Sequence, residues 1–284
     1  MKSSTKHAWA LIAAATLFST AGAAIKSCAL TGVQVASLRA GFAGVAILLL
    51  MPEARGPWTW PAAAVSLAYA ASMTLFVVST KLTTSANAIF LQATSPLYIL
   101  LLGPWLLKEP ARRGDLTFLA ALGVGLGLFF VGVDAPAVTA PDPLRGNTLA
   151  AFSGLTIGLL FVGLRWLSRR NGGEAAVAVF LGNVIGLLTL LPAALPLSHV
   201  RPVDWLLLAY LGFFQIGLAY SLVTRALGHV RALQASMLLL IEPVLNPVWA
   251  WLVHGEKPGA WSRLGGGIIL GATALKIWLD ARRD

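Results

Sequence analysis

Ten apolar stretches dominate this sequence, and short polar segments separate them. A helix that rises about 1.5 Å per residue needs roughly 17 to 25 apolar residues to cross about 30 Å of hydrocarbon. Most of the stretches reach that length, and they cover 8–24, 33–50, 60–79, 86–107, 116–133, 149–167, 175–195, 205–224, 233–253 and 264–279. The pattern predicts an all-α polytopic membrane protein with ten transmembrane helices.

The composition excludes a water-soluble globule. Hydrophobic residues make up 57% of the chain and charged residues only 11%, which is too little polar surface to cover a soluble protein of this size. The formal net charge of +10 does not indicate nucleic-acid binding, because the Lys and Arg residues lie between apolar stretches and form no continuous basic face. We therefore expect the lipid bilayer as a partner and no nucleic acid.

The distribution of basic residues predicts the orientation. If the N terminus lies inside, the inner loops carry fourteen Lys and Arg residues, the outer loops carry six, and Arg39 lies within a span. The positive-inside rule then places both termini in the cytoplasm. The first stretch also resembles a signal peptide with a cleavage site at Ala21-Gly22-Ala23. We expect it to be retained, because cleavage would leave nine spans and two unequal halves.

The two halves of the chain share features at matching positions. An offset of 147 residues aligns Pro96 with Pro243 and Glu109 with Glu256. The predicted domains are a first five-helix repeat at 1–134, a proline-containing linker at 135–145 and a second five-helix repeat at 146–284. Because five is an odd number, the second repeat crosses the membrane with the opposite polarity. Inverted repeats that enclose a central cavity are typical of secondary transporters with alternating access, although duplication also occurs without transport.

Several motifs together resemble the drug/metabolite transporter superfamily, in particular its EamA-type members. The motifs are Ala86-Asn87-Ala88, Ser95-Pro96, Leu107-Lys108-Glu109, Gly123-x-Gly125-x-Gly127, Ile241-Glu242-Pro243 and Gly255-Glu256-Lys257. Within that superfamily the chain is most similar to the YddG-type amino-acid exporters. The resemblance implies export of amino acids across the bacterial inner membrane.

Two charged residues fall well inside predicted spans, away from the span ends. Of the eleven acids, Glu242 is the one that does not lie at or near a span end. A charge at mid-span costs about 2.5 to 3.5 kcal/mol on insertion scales, so Glu242 is expected to face the protein interior. It is interpreted as a static partner of Arg39, a ligand for a substrate ammonium group or a proton acceptor for antiport. Arg39 is expected to hold a carboxylate, either that of Glu242 or that of the substrate.

Prolines and polar residues complete the candidate site. Pro96, Pro243 and Pro247 are predicted to kink spans 4 and 9 and to act in gating, because proline removes a backbone donor and crowds the carbonyl four residues earlier. A purely architectural kink is the alternative. The other candidates for the cavity wall are Asn87, Gln92, Ser95, Tyr98, Trp166, Gln215, Tyr220, Ser236 and Asn246.

These features together predict a monomeric secondary transporter for small molecules, with amino acids as the expected substrates. Export of another metabolite or of a cationic drug, with Glu242 as the cation ligand, is the alternative within transport. A membrane-embedded transferase is an alternative of another class, but it would need clustered acids or a histidine-based site, and the four His residues lie near span ends. We expect no enzymatic activity, no cofactor and no metal site.

Overall fold

The computed structural model describes residues 2–106, 113–170, 173–227 and 238–282, and their regular structure is helical. The helices of the first half are α1 (Lys2–Ser19), α2 (Ala21–Ser27), α3 (Gly32–Leu50), α4 (Trp60–Leu82), α5 (Ser85–Gln92), α6 (Ser95–Leu106) and α7 (Arg113–Val131). Those of the second half are α8 (Pro143–Arg170), α9 (Glu174–Ala194), α10 (Pro202–Ala209), α11 (Ala219–Leu227), α12 (Ile241–His254) and α13 (Ala260–Ala281). A short 3₁₀ turn at Pro52–Arg55 follows α3, and a π-helical segment at Tyr210–Leu218 joins α10 to α11.

Six helical segments in the described part of the chain are long and apolar enough to cross a membrane. They are Lys6–Ser27, Gly32–Leu50, Trp60–Leu82, Pro143–Leu167, Glu174–Ala194 and Pro202–Val223, and Asp115–Val131 is a shorter apolar helix. The chain is therefore an all-helical multi-pass membrane protein, as its apolar stretches predict. The total of ten spans remains a prediction.

The helices in predicted spans 4 and 9 are interrupted just ahead of a proline. In span 4, α5 ends at Gln92 and α6 starts at Ser95, so that Pro96 is the second residue of α6. In span 9, a turn at Leu240 precedes α12, and Pro243 is the third residue of that helix. Proline is tolerated in a first helical turn because the N–H groups there have no partner within the helix. Each proline therefore restarts a helix after a break.

Glycine permits a close contact between α7 and α13. The helices α7 and α13 cross at Gly125 and Gly265, where a Cβ on Gly125 would lie 3.0 Å from the carbonyl oxygen of Gly265 and 2.8 Å from Ile269. Lys276 of α13 also forms an ion pair of 2.9 Å with Asp115 of α7. The glycine-rich sequence thus permits two backbones to approach, which small residues commonly do in membrane helices.

The remaining helix contacts link the two halves. The helix α4 packs against α8 and α9, and α3 packs against α9 and the π-helical segment. The helix α1 packs against α11 and α12, while α5 packs against α8 and α12. Most of these helices contribute residues to the wall of one cavity.

Candidate functional site

A cavity of about 380 Å³ lies among the helices of both halves. This volume is in the range of small-molecule binding sites. Its wall is mostly apolar and includes Phe18, Met73, Phe76 and Phe161. Eight residues proposed from the sequence also line it, namely Arg39, Gln92, Ser95, Pro96, Gln215, Tyr220, Glu242 and Pro243.

Arg39 lies in the middle of α3 and is only 3% exposed. Its Nη2 lies 3.4 Å from the Met73 sulfur, which is a weak acceptor, and its buried Nη1 has no hydrogen-bond partner among the described residues. A buried guanidinium without an acid at hydrogen-bond distance is costly in the dry interior of a membrane protein. Arg39 therefore presents unused donors at the cavity wall.

Glu242 contributes a carboxyl group to the same cavity from the first turn of α12. Negative charge is stabilised at this position, because the free N–H groups of a helix start carry a partial positive charge. The break ahead of α12 therefore gives an acid a favourable place within a span.

The structure does not form the Arg39–Glu242 pair that the sequence suggests as one possibility. The ion pairs of the described residues are Lys26–Glu256, Arg201–Asp204 and Lys276–Asp115. Tyr220 lies within electrostatic reach of both Arg39 and Glu242. The two opposite charges thus line one cavity without neutralising each other.

Amide side chains supply further polar groups. The Gln92 Nε2 donates to the Ser153 hydroxyl at 2.6 Å, and that hydroxyl lies 3.2 Å from the Ser72 carbonyl oxygen. Gln92 is thereby fixed at the end of α5, where it lines the cavity. Gln215 lies in the π-helical segment, and its buried Oε1 has no hydrogen-bond partner among the described residues. Such π-helical segments are frequent at functional sites.

Aromatic rings form the apolar side of the cavity around Tyr220. The Tyr220 ring meets Phe18 edge-on with centroids 5.3 Å apart, and it meets Tyr69 at 6.0 Å. The sequence analysis selected Tyr220 but not Phe18, Met73, Phe76 or Phe161. No signal in the sequence separates these residues from other apolar residues, because their helices are apolar on all faces.

Two predicted site residues are buried in contacts between helices and do not line the cavity. The Asn87 Nδ2 donates to Thr83 Oγ1 at 3.3 Å and to Asn147 Oδ1 at 3.1 Å, so that its side chain joins α5 to α8. Asn246 is fully buried next to Gly22, whose added Cβ would lie 2.6 Å from Asn246 Oδ1. Neither side chain lines the cavity: Asn87 is held by hydrogen bonds to Thr83 and Asn147, and the buried amide of Asn246 has no hydrogen-bond partner among the described residues.

Three more predicted residues do not line the cavity, and a fourth, Ser236, lies outside the described residues. Tyr98 packs against α8, where a Cβ added to Gly158 would lie 3.0 Å from the Tyr98 Cβ. Trp166 is 38% exposed and does not line the cavity. Pro247 lies within α12, outside the cavity wall.

Comparison with known proteins finds a family match in the second half of the chain. Residues 144–278, just under half of the chain, match the EamA-like transporter family. Over these residues the match agrees with the resemblance drawn from the sequence motifs, at the level of an EamA-like transporter domain of the drug/metabolite transporter superfamily. The amino-acid exporter subtype remains a prediction.

The fold also has counterparts of known structure. No curated protein sequence matches the chain. Thirteen chains of solved structures match it. One, described only as the crystal structure of a protein, is 19% identical with a TM-score of 0.64 and matches over 99% of both chains. At this identity the likeness shows the fold alone.

Proposed function

We propose that this protein is a secondary transporter that exports amino acids, including aromatic and apolar ones, across the bacterial inner membrane. The observation that carries the proposal is the pair of unneutralised opposite charges, Arg39 and Glu242, in one largely apolar cavity. An amino acid complements both, with its carboxylate on the guanidinium and its ammonium group on the carboxylate and the free Gln215 Oε1. The aromatic wall suits an apolar or aromatic side chain.

The helix contacts support the proposed architecture of ten spans in two inverted repeats, 1–134 and 146–284, around a linker at 135–145. In such a repeat, adding five to a span number gives its equivalent in the other half. Contacts of span 3 with spans 6 and 7 (α4 with α8 and α9) are then equivalent to contacts of span 8 with spans 1 and 2, which are also present. The repeat also pairs span 2 with span 7 and span 5 with span 10. Both pairs are in contact, through α3 with α9 and α7 with α13.

The broken helices are the proposed moving parts. Residues around each break line the cavity, namely Ala93 and Ser95 in span 4 and Leu239 and Leu240 in span 9. A helix that is already interrupted bends at little cost in backbone hydrogen bonds. We propose that segments beyond Pro96 and Pro243 shift to expose the cavity alternately, with Pro247 adding flexibility to α12. Both termini are cytoplasmic in this proposal, and one chain encloses the cavity as a monomer.

Counterflow into proteoliposomes tests the proposal. Vesicles loaded with unlabelled phenylalanine should accumulate labelled phenylalanine, whereas vesicles without the protein should not. Glu242→Gln should reduce this uptake about tenfold or more, because it removes the charge that holds the ammonium group. Glu53→Gln changes an exposed acid in the 3₁₀ turn and is the matched control.

The possible outcomes separate the parts of the proposal. If cationic compounds enter and labelled amino acids do not, the alternative of a cation exporter replaces the amino-acid assignment. Arg39 in the same cavity argues against that alternative, since it repels a cation. If Glu242→Gln transports phenylalanine at the wild-type rate, the carboxylate has no direct role in binding. Repeating the assay with and without a pH gradient distinguishes exchange from proton antiport.

A further inference from the structure

A buried ion pair lies where the far ends of two cavity-lining helices, α5 and α12, meet. The Lys26 Nζ at the end of α2 lies 2.7 Å from Glu256 Oε1, and the two side chains are 4% and 2% exposed. The Lys26 ammonium group also donates to the carbonyl oxygens of Thr83, at 2.8 Å, and Thr139. The ammonium group thus joins four separate segments of the chain, through one ion pair and two hydrogen bonds.

The other Glu256 oxygen reaches the start of a helix that lines the cavity. Its Oε2 accepts a hydrogen bond of 2.9 Å from the backbone N–H of Ser85, the first residue of α5. The last residue of α5 is Gln92, which lines the cavity. On the other side, Glu256 follows α12 directly after Gly255, and the first turn of α12 carries Glu242. Both broken helices therefore have one end at the cavity and the other at the ion pair.

Further bonds between the two halves surround the pair. The Arg201 Nη2 donates to the Ser27 carbonyl oxygen at 2.8 Å, and Asp204 Oδ1 accepts the N–H of Ala29 at 2.9 Å. His254 Nε2 lies 2.9 Å from the Ala23 carbonyl oxygen. The segment from Ala23 to Ala29 is thus held to the second half by polar contacts.

The contacts that hold this end together, the Lys26–Glu256 pair and the hydrogen bonds around it, are polar, which suits an end that has to open. A buried ion pair is strongly favourable while both charges are dry and paired, and breaking it by removing one partner leaves an uncompensated buried charge. When the whole end opens and water enters, both charges are hydrated, and an exposed pair contributes little. An apolar seal would behave differently, because opening it exposes apolar surface to water.

We propose that the Lys26–Glu256 pair is a releasable lock, which holds this end of the cavity closed and separates when the transporter changes state. The proposal rests on the alternating access of the proposed function. Substrate contacts at Gln92 and Glu242 are coupled to the lock, because α5 and α12 connect the two places as single helical segments. By the predicted orientation this is the outer end.

The chain contains its own reporter for the lock. Cys28 is the single cysteine of the sequence, it is 3% exposed, and it lies two residues from Lys26. Burial also raises the pKa of its thiol to about 11, so that the reactive thiolate is rare while this end is closed. Opening the end exposes the sulfur and returns its pKa towards the ordinary value.

The test measures the rate at which a maleimide labels Cys28 in the purified protein. Glu256→Gln and Lys26→Met should each raise this rate about tenfold or more, because each removes one partner of the lock. Glu53→Gln is the matched control and should label at the wild-type rate. A thermal unfolding curve and a size-exclusion profile show that each variant is folded.

Every outcome bears on the lock. A folded Glu256→Gln or Lys26→Met variant that labels no faster than wild type overturns the proposal. If neither variant folds, labelling of Cys28 is measured in the wild-type protein as a function of temperature. Slow labelling well below the unfolding temperature supports the lock, and Cys28 that stays unlabelled until the protein unfolds overturns it. No substrate is used, so these results are independent of whether the amino-acid assignment succeeds in counterflow.

Discussion

Replacing Arg39 with Met should make the protein more stable and disable transport. Arg39 is 3% exposed and is in none of the ion pairs of the described residues. Its Nη2 lies at hydrogen-bond distance from the Met73 sulfur, and its Nη1 has no hydrogen-bond partner among those residues. Met has a similar length and no charge, so it fills the space without the cost of a buried cation. Arg39→Met therefore tests the contribution of the guanidinium to stability separately from its contribution to substrate binding.

The expected magnitudes follow from the environment of the guanidinium. A charge at mid-span costs about 2.5 to 3.5 kcal/mol on insertion scales, and replacing buried charges by apolar groups often stabilises a protein by about 1 to 4 kcal/mol. We expect a gain of about 1 to 3 kcal/mol in the free energy of unfolding. At roughly 2 to 4 °C per kcal/mol, the unfolding midpoint should rise by several degrees. Loss of a charged hydrogen-bonded pair with a substrate carboxylate costs about 2 to 4 kcal/mol, which weakens apparent substrate affinity roughly 30- to 1,000-fold.

Two assays on the same preparation check these values. Intrinsic tryptophan fluorescence follows thermal unfolding, because the sequence contains ten tryptophans and the signal does not depend on the accessibility of Cys28. Counterflow of labelled phenylalanine measures the apparent affinity. Arg145→Met is the matched control, since Arg145 is exposed in the first turn of α8. A lower unfolding midpoint in Arg39→Met would show that the guanidinium stabilises the fold, and unchanged affinity would refute its contact with the substrate carboxylate.

Three other perturbations have defined expectations. Asn147→Leu should lower the unfolding midpoint, because it removes a buried donor to the Phe129 carbonyl oxygen and the acceptor that joins α8 to α5, at a cost of about 1 to 3 kcal/mol. Gly125→Val should reduce the yield of folded protein, because its side chain meets the backbone of α13, whereas Gly127→Val on the same helix has open space and should be tolerated in the same expression assay. Labelling of wild-type Cys28 should keep rising up to about pH 11, because its raised pKa delays thiolate formation, and a plateau near pH 9 would contradict this.

The sequence predicts those parts of the fold that depend on the length of apolar stretches and on the positions of prolines. Apolar stretches of membrane-spanning length mark the helices, and prolines mark the breaks, because both effects act locally along the chain. Pro96 and Pro243 sit at the restart of a helix after the break, which the sequence alone does not distinguish from a kink within a continuous helix. The difference depends on the turns at Thr94 and Leu240, which contain no residue typical of a break.

The prediction of the candidate site has its clearest physical basis where a residue is costly in lipid. Arg39 and Glu242 stand out because a charge within a span needs a reason, and both line the cavity. Asn87 and Asn246 carry a weaker penalty, and neighbouring helices bury them outside the cavity wall. The apolar wall residues carry no penalty, so the sequence contains no sign of which ones face the cavity.

Lys26 and Glu256 show a second limit of the same reasoning. Both lie at predicted span ends, where a charge is ordinary and suggests exposure to water, yet their side chains are 4% and 2% exposed. Their burial arises because the ends of α2, α5 and α12 converge, which is a property of the packing and not of any one span. A charge at the end of a span can therefore be buried and paired, just as a charge in the middle of a span can. If the lock holds, the ion pair controls access to the cavity in which Arg39 and Glu242 hold the substrate, and α12 joins the two functions within one helix.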